Sequence, residues 1–321
     1  MDVSFIIPAF NRLWSLPEAI ESCRDTRCSA EIIVVDDGST DGTWEWLSKQ
    51  KDLLVLRQQN LGKDWAVNLG FAHATGEYVR FLDSDDWCLA GATDAQLEIA
   101  LRSNADIVVG GYTVNAKDGT LLREQNWVEC DDFIAQQLGE CDSSHYSAYL
   151  FRRNFIRDLP HRPEAGVRDD RLFVLEAALL KPNVAVFPGF AFAHRHHGET
   201  RLQFPTGLRA TITNYQHLQI YRRVLGELEA GGELNERRKK AAANTLWPLA
   251  HWIAYSHRHE AVEVADWVFR LDPQFHVPEN GLLGALYRRI GFRQTEWLLR
   301  IRRNIVALFS DGDQPQRLEL K

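Results

Sequence analysis

The sequence predicts an α/β fold, built on a mostly parallel sheet and followed by a helical lobe. Three observations carry this expectation. Short β-branched runs alternate with helix-length segments over roughly the first 110 residues. Each run ends in a cluster of polar residues. After Gly207 the apolar residues recur at steps of three or four, the spacing of a helix face.

The elements follow in order. Val3 to Pro8 and Glu31 to Val35 read as strands, and Leu16 to Cys23 between them as a helix, which makes a β-α-β unit. A helix at Thr43 to Lys49, a strand at Leu53 to Arg57, a helix at Asp64 to Ala74 and a strand at Tyr78 to Leu82 continue the alternation. Next come a helix near Ala92 to Arg102, a strand at Asp106 to Val109, and a less regular stretch reaching Phe192. From Gly207 onward, Ile212, Tyr215, Leu218, Tyr221, Leu225 and Leu228 form one apolar stripe. The expected division is a domain at 1–205, with halves 1–110 and 111–205, and a helical region at 206–321, whose tail from Asp311 reads as disordered.

Bulk properties narrow the function classes. A chain of 321 residues, 45% of them hydrophobic, can bury a sizeable core. A net charge of -7 disfavours a broad nucleic-acid surface, which needs cations to replace counterions on phosphate. Five cysteines with no CxxC pair argue against a disulfide framework and for a reducing, cytoplasmic setting. No run of about 18 apolar residues is present and the start MDVSFIIPAF has no basic segment, so neither a membrane span nor a signal peptide is expected.

In a parallel sheet, ligands sit beyond the strand C-terminal ends. Here those ends are Pro8-Ala9-Phe10-Asn11, Asp36-Asp37-Gly38-Ser39, Gln59-Asn60 and Asp83-Ser84-Asp85-Asp86, expected to converge on one cleft. The last is the strongest local signal. Carboxylates packed this closely repel one another unless a cation neutralises them, and hard oxygen ligands suit Mg2+ or Mn2+ bridging a diphosphate. Asp85 or Asp86 can equally cap the helix that follows.

FIIPAFN, IIVVDDGSTDGT and NLGKDWAVNLGFAHATGEYVRFLDSDD, in that order, resemble the nucleotide-binding half of family 2 glycosyltransferases. The likeness is close over roughly the first 110 residues and looser to about residue 205. It implies an inverting enzyme of the GT-A (Rossmann-like) nucleotide-diphospho-sugar transferase fold. It also implies a nucleoside pocket lined by Pro8, Ala9, Asn11 and Asp37, a DXD element of Asp83, Ser84 and Asp85, and a metal held by Asp85 or Asp86. Where the family often carries an arginine before Asn68 this sequence has Val67, so a base or phosphate contact is either missing or supplied by Lys63.

Inverting transfer needs a carboxylate to take the acceptor proton. Arg168-Asp169-Asp170-Arg171-Leu172-Phe173 resembles the family's Glu-Asp element, with Asp169 in the glutamate position and Asp170 as the base. The alternative is an acidic pair at a helix N-terminus, worth roughly 0.3 to 1 kcal/mol. The segment from His194 to Arg201 resembles the family's Arg-x-His-x-x-Ser/Thr loop through Arg195, His197 and Thr200, which implies a cationic loop on the diphosphate. Three histidines in four positions do not match helical zinc spacing.

The resemblance thus implies a nucleotide-sugar donor, UDP-sugar favoured, and a saccharide or lipid-linked acceptor in surface polysaccharide or lipopolysaccharide assembly. A sugar-phosphate nucleotidyltransferase and a non-catalytic carbohydrate-binding scaffold are the alternatives. Near the C-terminus, Leu282 to Phe309 sets apolar residues among six arginines. That pattern is either a solvated face or a peripheral contact with the inner face of a membrane. Trp127, Trp247, Trp252 and Trp267 read as core rather than as a sugar platform.

Overall fold

The computed structural model describes residues 1–197 and 207–309. Packing divides the chain into a unit of Met1–Ala241 and a second of Ala242–Lys321.

Among the described residues, the first unit is built on a nine-stranded sheet. Strands β1 (Val3–Ala9), β2 (Ala30–Asp36), β3 (Leu54–Arg57) and β4 (Tyr78–Phe81) are mutually parallel in the order β3-β2-β1-β4. All seven residues of β1 are buried, as a central strand covered on both faces requires. Period-two alternation sorts them: Val3, Phe5 and Ile7 join one apolar cluster with helix α1 (Leu16–Arg24), and Ile6 joins the opposite one. Helix α2 (Thr43–Leu47) leads to β3, and helix α3 (Lys63–His73) lies against β1 and β2. That approach is close at Gly70, where a Cβ would come within 2.7 Å of Ile6 Cγ2.

Beyond β4 the sheet stops being parallel. Strand β5 (Trp87–Cys88) and helix α4 (Ala92–Ser103) precede β6 (Ile107–Ala116) and β7 (Leu121–Gln125). Helix α5 (Phe133–Leu138), strand β8 (Leu150–Arg152), helix α6 (Asp169–Leu179) and strand β9 (Val184–His196) follow. Strand β8 inserts antiparallel between β4 and β6, while β9 runs parallel to β6 and antiparallel to β5.

The expected irregular stretch is therefore ordered, and the expected strand at Asp106 to Val109 extends to Ala116. Gly110-Gly111 and Pro188-Gly189 hid these strands from a pattern reading. The β6–β9 register shifts on either side of Gly111, where a Cβ would lie 2.6 Å from the Gln125 carbonyl oxygen and 2.9 Å from Phe190 Cδ1.

Helix α7 (Gly207–Ala230) packs within the first unit: Tyr221 donates to the Leu138 carbonyl at 3.0 Å, and Arg223 pairs with Glu176 at 2.8 Å. Packing thus divides the chain at Ala241 rather than near residue 205. Helix α8 (Glu236–Ala254) crosses that division, and α9 (Arg258–Leu271) and α10 (Gly281–Phe309) complete the second unit. Trp247 is the buried centre there, ringed by Phe269, Phe275, Tyr287 and Phe292, with its indole N–H on Glu279 at 3.0 Å. No described helix is long and apolar enough to cross a membrane.

Candidate active site

The C-terminal ends of β1, β2 and β4 bring the polar clusters together. Asn11 takes a left-handed conformation (φ 53°) just past β1 and ties two loops: its N–H donates to Ser39 Oγ at 2.9 Å, and its Oδ1 accepts from Thr40 N at 2.8 Å. Pro8 and Ala9 complete β1 itself, with the Ala9 carbonyl accepting from Asp37 N at 2.8 Å.

Asp37 is already in use. Its carboxylate accepts from Gln58 Nε2 at 2.7 Å, Leu61 N at 2.9 Å and Gly62 N at 2.9 Å. It therefore clamps the loop leading into Lys63, and at 4% exposure a base reaches it only if that loop shifts. Beside it, fully buried Asp36 pairs with Arg57 at 3.1 Å.

Asp83, Asp85 and Asp86 offer carboxylate oxygens all within 4.8 Å of one another. Each of the three is held by other groups of the chain. Asp83 meets Lys63 Nζ at 2.5 Å; burial pushes its carboxyl up, but Lys63 together with His145 and His194 outweighs burial and holds it at about 2. Asp85 faces His197 Nε2 at 3.0 Å and Arg12 Nε at 3.6 Å. Asp86, 1% exposed, accepts from Arg195 N at 2.8 Å and contacts His194 Nδ1 at 3.2 Å, and burial raises its carboxyl.

Hard oxygens at this spacing fit Mg2+ or Mn2+. Asp85 and Asp83 keep accessible surface, at 21% and 26% of their side chains, whereas Asp86 is turned inward onto β9. Of the two expected ligands, Asp85 is thus the one a cation can reach. The Ser84 carbonyl accepts from Ser15 Oγ at 2.8 Å and fixes the turn.

Arg195 corrects the expected loop. It lies in β9, is 4% exposed, and spends its guanidinium on the Asp85 carbonyl at 2.9 Å, the Lys117 carbonyl at 2.9 Å and Glu18 at 2.5 Å. It also stacks 4.4 Å from the Trp87 ring centroid. It braces the turn that carries Asp85 rather than standing ready to swing onto a diphosphate. His197 is likewise buried, edge-on to Trp14 at 5.0 Å. Thr200 lies outside the described residues.

The second carboxylate pair opens α6. Asp169 is 3% exposed and accepts from His161 Nδ1 and, at 2.5 Å, from Arg162 N. The expected catalytic pair therefore divides: Asp169 is a buried anchor, and Asp170 is half-buried. Lys63 joins the two halves. Burial opposes its charge, yet Asp83, Asp170 and Asp64 together raise the ammonium above its ordinary value.

Sequence reasoning missed the layer beneath. His161 stacks on Phe173 at 4.3 Å, and its Nε2 meets Tyr146 OH at 2.7 Å. Its backbone N–H and C=O are both held by the Asn68 side chain at 2.8 Å. Asp64 beside it is raised to about 8, by burial first and then by Asp169 and Asp170, against Lys63. A lone histidine and a helix-start aspartate carry no distinguishing signal.

The family profile described as Glycosyl transferase family 2 matches residues 4–159. Residues 4–159 are a family 2 glycosyltransferase domain. The matched segment ends before Asp169 and Asp170. An uncharacterized glycosyltransferase of Rickettsia felis is 41% identical over 107 residues, which is 32% of this chain and 18% of that one. TuaG of Bacillus subtilis, provisionally named as a teichuronic acid biosynthesis glycosyltransferase, is 34% identical over 126 residues, 37% of this chain and 50% of its own. The chain therefore spans half or less of the length of these curated relatives.

The family 2 domain and the segments after it also match a solved structure. Residues 1–349 of Staphylococcus aureus TarS, crystallised with UDP-GlcNAc, superpose with a TM-score of 0.65 at 17% identity, covering 94% of this chain and 92% of that one. The fold is accordingly GT-A with C-terminal helices.

Proposed function

We propose that the protein is an inverting glycosyltransferase that moves a sugar from a nucleoside-diphosphate sugar, UDP-sugar favoured, to a hydroxyl of a saccharide or lipid-linked acceptor. The observation that carries this is the gathering of Asp83, Asp85 and Asp86 at the strand ends, with Lys63 paired to Asp83 at 2.5 Å and sensing the charge of Asp170 at the start of α6. The TarS complex with UDP-GlcNAc supports a UDP-sugar, and the teichuronic acid name of TuaG supports assembly of a surface polysaccharide.

In this reading a Mg2+ or Mn2+ ion on Asp85 and Asp83 would offset the charge gathering on the leaving diphosphate. Asp170 takes the acceptor hydroxyl proton as its oxygen forms the bond to the anomeric carbon. The bond to the diphosphate breaks on the opposite face, and its electron pair leaves with the diphosphate. Lys63, paired with Asp83, supplies positive charge on the side where the diphosphate leaves. Asp169, anchored by His161, holds the first turn of α6 and does not touch substrate. Val67, fully buried, contributes no charge, so Lys63 supplies the cation on this side.

Two measurements test the proposal. Melting temperature is read against UDP, GDP, CMP and TDP, with and without Mn2+, where a metal-dependent rise with UDP is expected. Turnover with UDP-sugars is then compared for Asp170→Asn, which should lose at least about a thousandfold in kcat with donor binding intact. Full turnover in Asp170→Asn would remove it as the base, and release of pyrophosphate from a nucleoside triphosphate would replace the transfer reading by nucleotidyl transfer.

A further inference from the structure

Helix α10 bends at Gly291 (φ 78°), and beyond the bend its two faces differ sharply. Phe292, Thr295 and Glu296 turn inward, at 6%, 0% and 3% exposure. Trp297, Leu298 and Ile301 point outward, at 51%, 40% and 38%. Arg293, Gln294, Arg300 and Arg302 are exposed as well. At the helical 3.6 residues per turn, Trp297, Ile301 and Leu298 share one arc, with Arg293 and Arg300 on one flank and Arg302 on the other.

The same composition continues before the bend, where Leu282 and Ile290 are exposed at 79% and 39% beside exposed Arg288 and Arg289. The helix carries six arginines and a single acid, Glu296. That acid is spent inside the unit, on Tyr287 OH at 2.7 Å and His251 Nδ1 at 3.0 Å. The outer face is therefore purely cationic around an apolar centre, in a chain whose net charge is -7.

A face made only to meet water would place its arginines where the tryptophan, leucine and isoleucine stand. We propose that this face of α10 rests on an anionic lipid bilayer, with Trp297, Leu298 and Ile301 in the boundary between headgroups and acyl chains and the flanking arginines on lipid phosphates. Charge chooses this occupant. A second copy docked through the same face would set arginine against arginine, and a neutral apolar partner would leave the arginines unused. The exposed centre is also one that an interfacial helix buries shallowly, not one that spans.

The test uses the full chain and vesicles pelleted by centrifugation. It should sediment with phosphatidylcholine vesicles containing phosphatidylglycerol, remain in solution with phosphatidylcholine alone, and be released by high salt. Replacing Arg293, Arg300 and Arg302 by glutamate should lower vesicle affinity by at least about tenfold, and the triple lysine variant should retain most of it. Trp297→Ser, which leaves the charge unchanged, should also weaken binding. Circular dichroism of each variant guards against misfolding, and the lysine variant keeps the test valid if the glutamate variant does not fold.

Equal binding to both vesicle types, or none to either, overturns the proposal. So does a melting-temperature rise with free phosphate in the absence of vesicle binding, which would make the arginines a small-anion site. Self-association abolished by Trp297→Ser, again without vesicle binding, would assign the face to a second copy. Vesicle binding by Asp170→Asn should match that of the unaltered chain, so failure here is distinct from failure of the transfer reading.

Discussion

Lys63 shows how much one side chain decides in this site. Its ammonium stands 2.5 Å from Asp83 and in the field of Asp170 and Asp64. Lys63→Ala should release Asp83 from its value of about 2 and lower kcat/KM by roughly 10²-fold, with Lys63→Arg recovering part. Asp64 gives a pH signature. Its carboxyl is raised in the fold from the ordinary 3.8 to about 8, by burial and then by Asp169. Between those values the folded chain holds a proton that the unfolded chain has released, so this group's contribution to stability falls as pH rises from about 4 to about 8 and is level beyond. The melting temperature of Asp64→Asn should therefore gain on that of the unaltered chain across this window. A constant difference would show that Asp64 does not titrate there.

Among the elements, the start of α6 and the β6–β9 pair are the most exacting. His161 satisfies Asp169 in a site where both side chains are only 4% exposed, and removing one partner of such a pair leaves a buried charge. His161→Ala should cost about 3 kcal/mol in urea unfolding, and a loss below about 1 kcal/mol would mean water replaces the imidazole. In β6, Gly111→Ala must push against a backbone oxygen 2.6 Å away. About 1 to 3 kcal/mol of destabilisation is expected, measured the same way. These elements were the least legible from sequence. A period-two pattern broken by Gly110-Gly111 and Pro188-Gly189 does not read as a strand, whereas unbroken β1 and β2 do.

For the molecule, compactness draws two units, and each has its own polar heart. In the second unit His251 lies between Glu279 at 3.2 Å and Glu296 at 3.0 Å. Burial disfavours its charge, but the two glutamates outweigh burial and raise it above the ordinary 6.5. A histidine raised in the fold lends stability that is complete below its unfolded value and lost as pH rises through the folded one. Scanning calorimetry should therefore show the second unit weakening above neutral pH, and His251→Gln should flatten that decline. If both proteins lose stability in parallel, the imidazole is not the titrating group.

The sequence alone determined the parallel half of the sheet, because local periodicity sets β1 to β4 and their helices, and because such a sheet gathers its strand ends on one edge. It thereby placed Asn11, Asp37 and the Asp83 to Asp86 cluster together before any contact was known. Only the tertiary structure decided what each of these residues does. Asp86 faces the Arg195 amide from 109 positions away, Asp37 clamps the loop before Lys63, and Arg195 is bound into β9. It also decided that Asp169 anchors while Asp170 stays open, and that α7 packs against α6 and the turn before it. Periodicity reports how a segment meets its nearest neighbours along the chain. Whether a carboxylate is free, paired or buried depends on groups that folding brings from far away in sequence, and no local pattern records that choice.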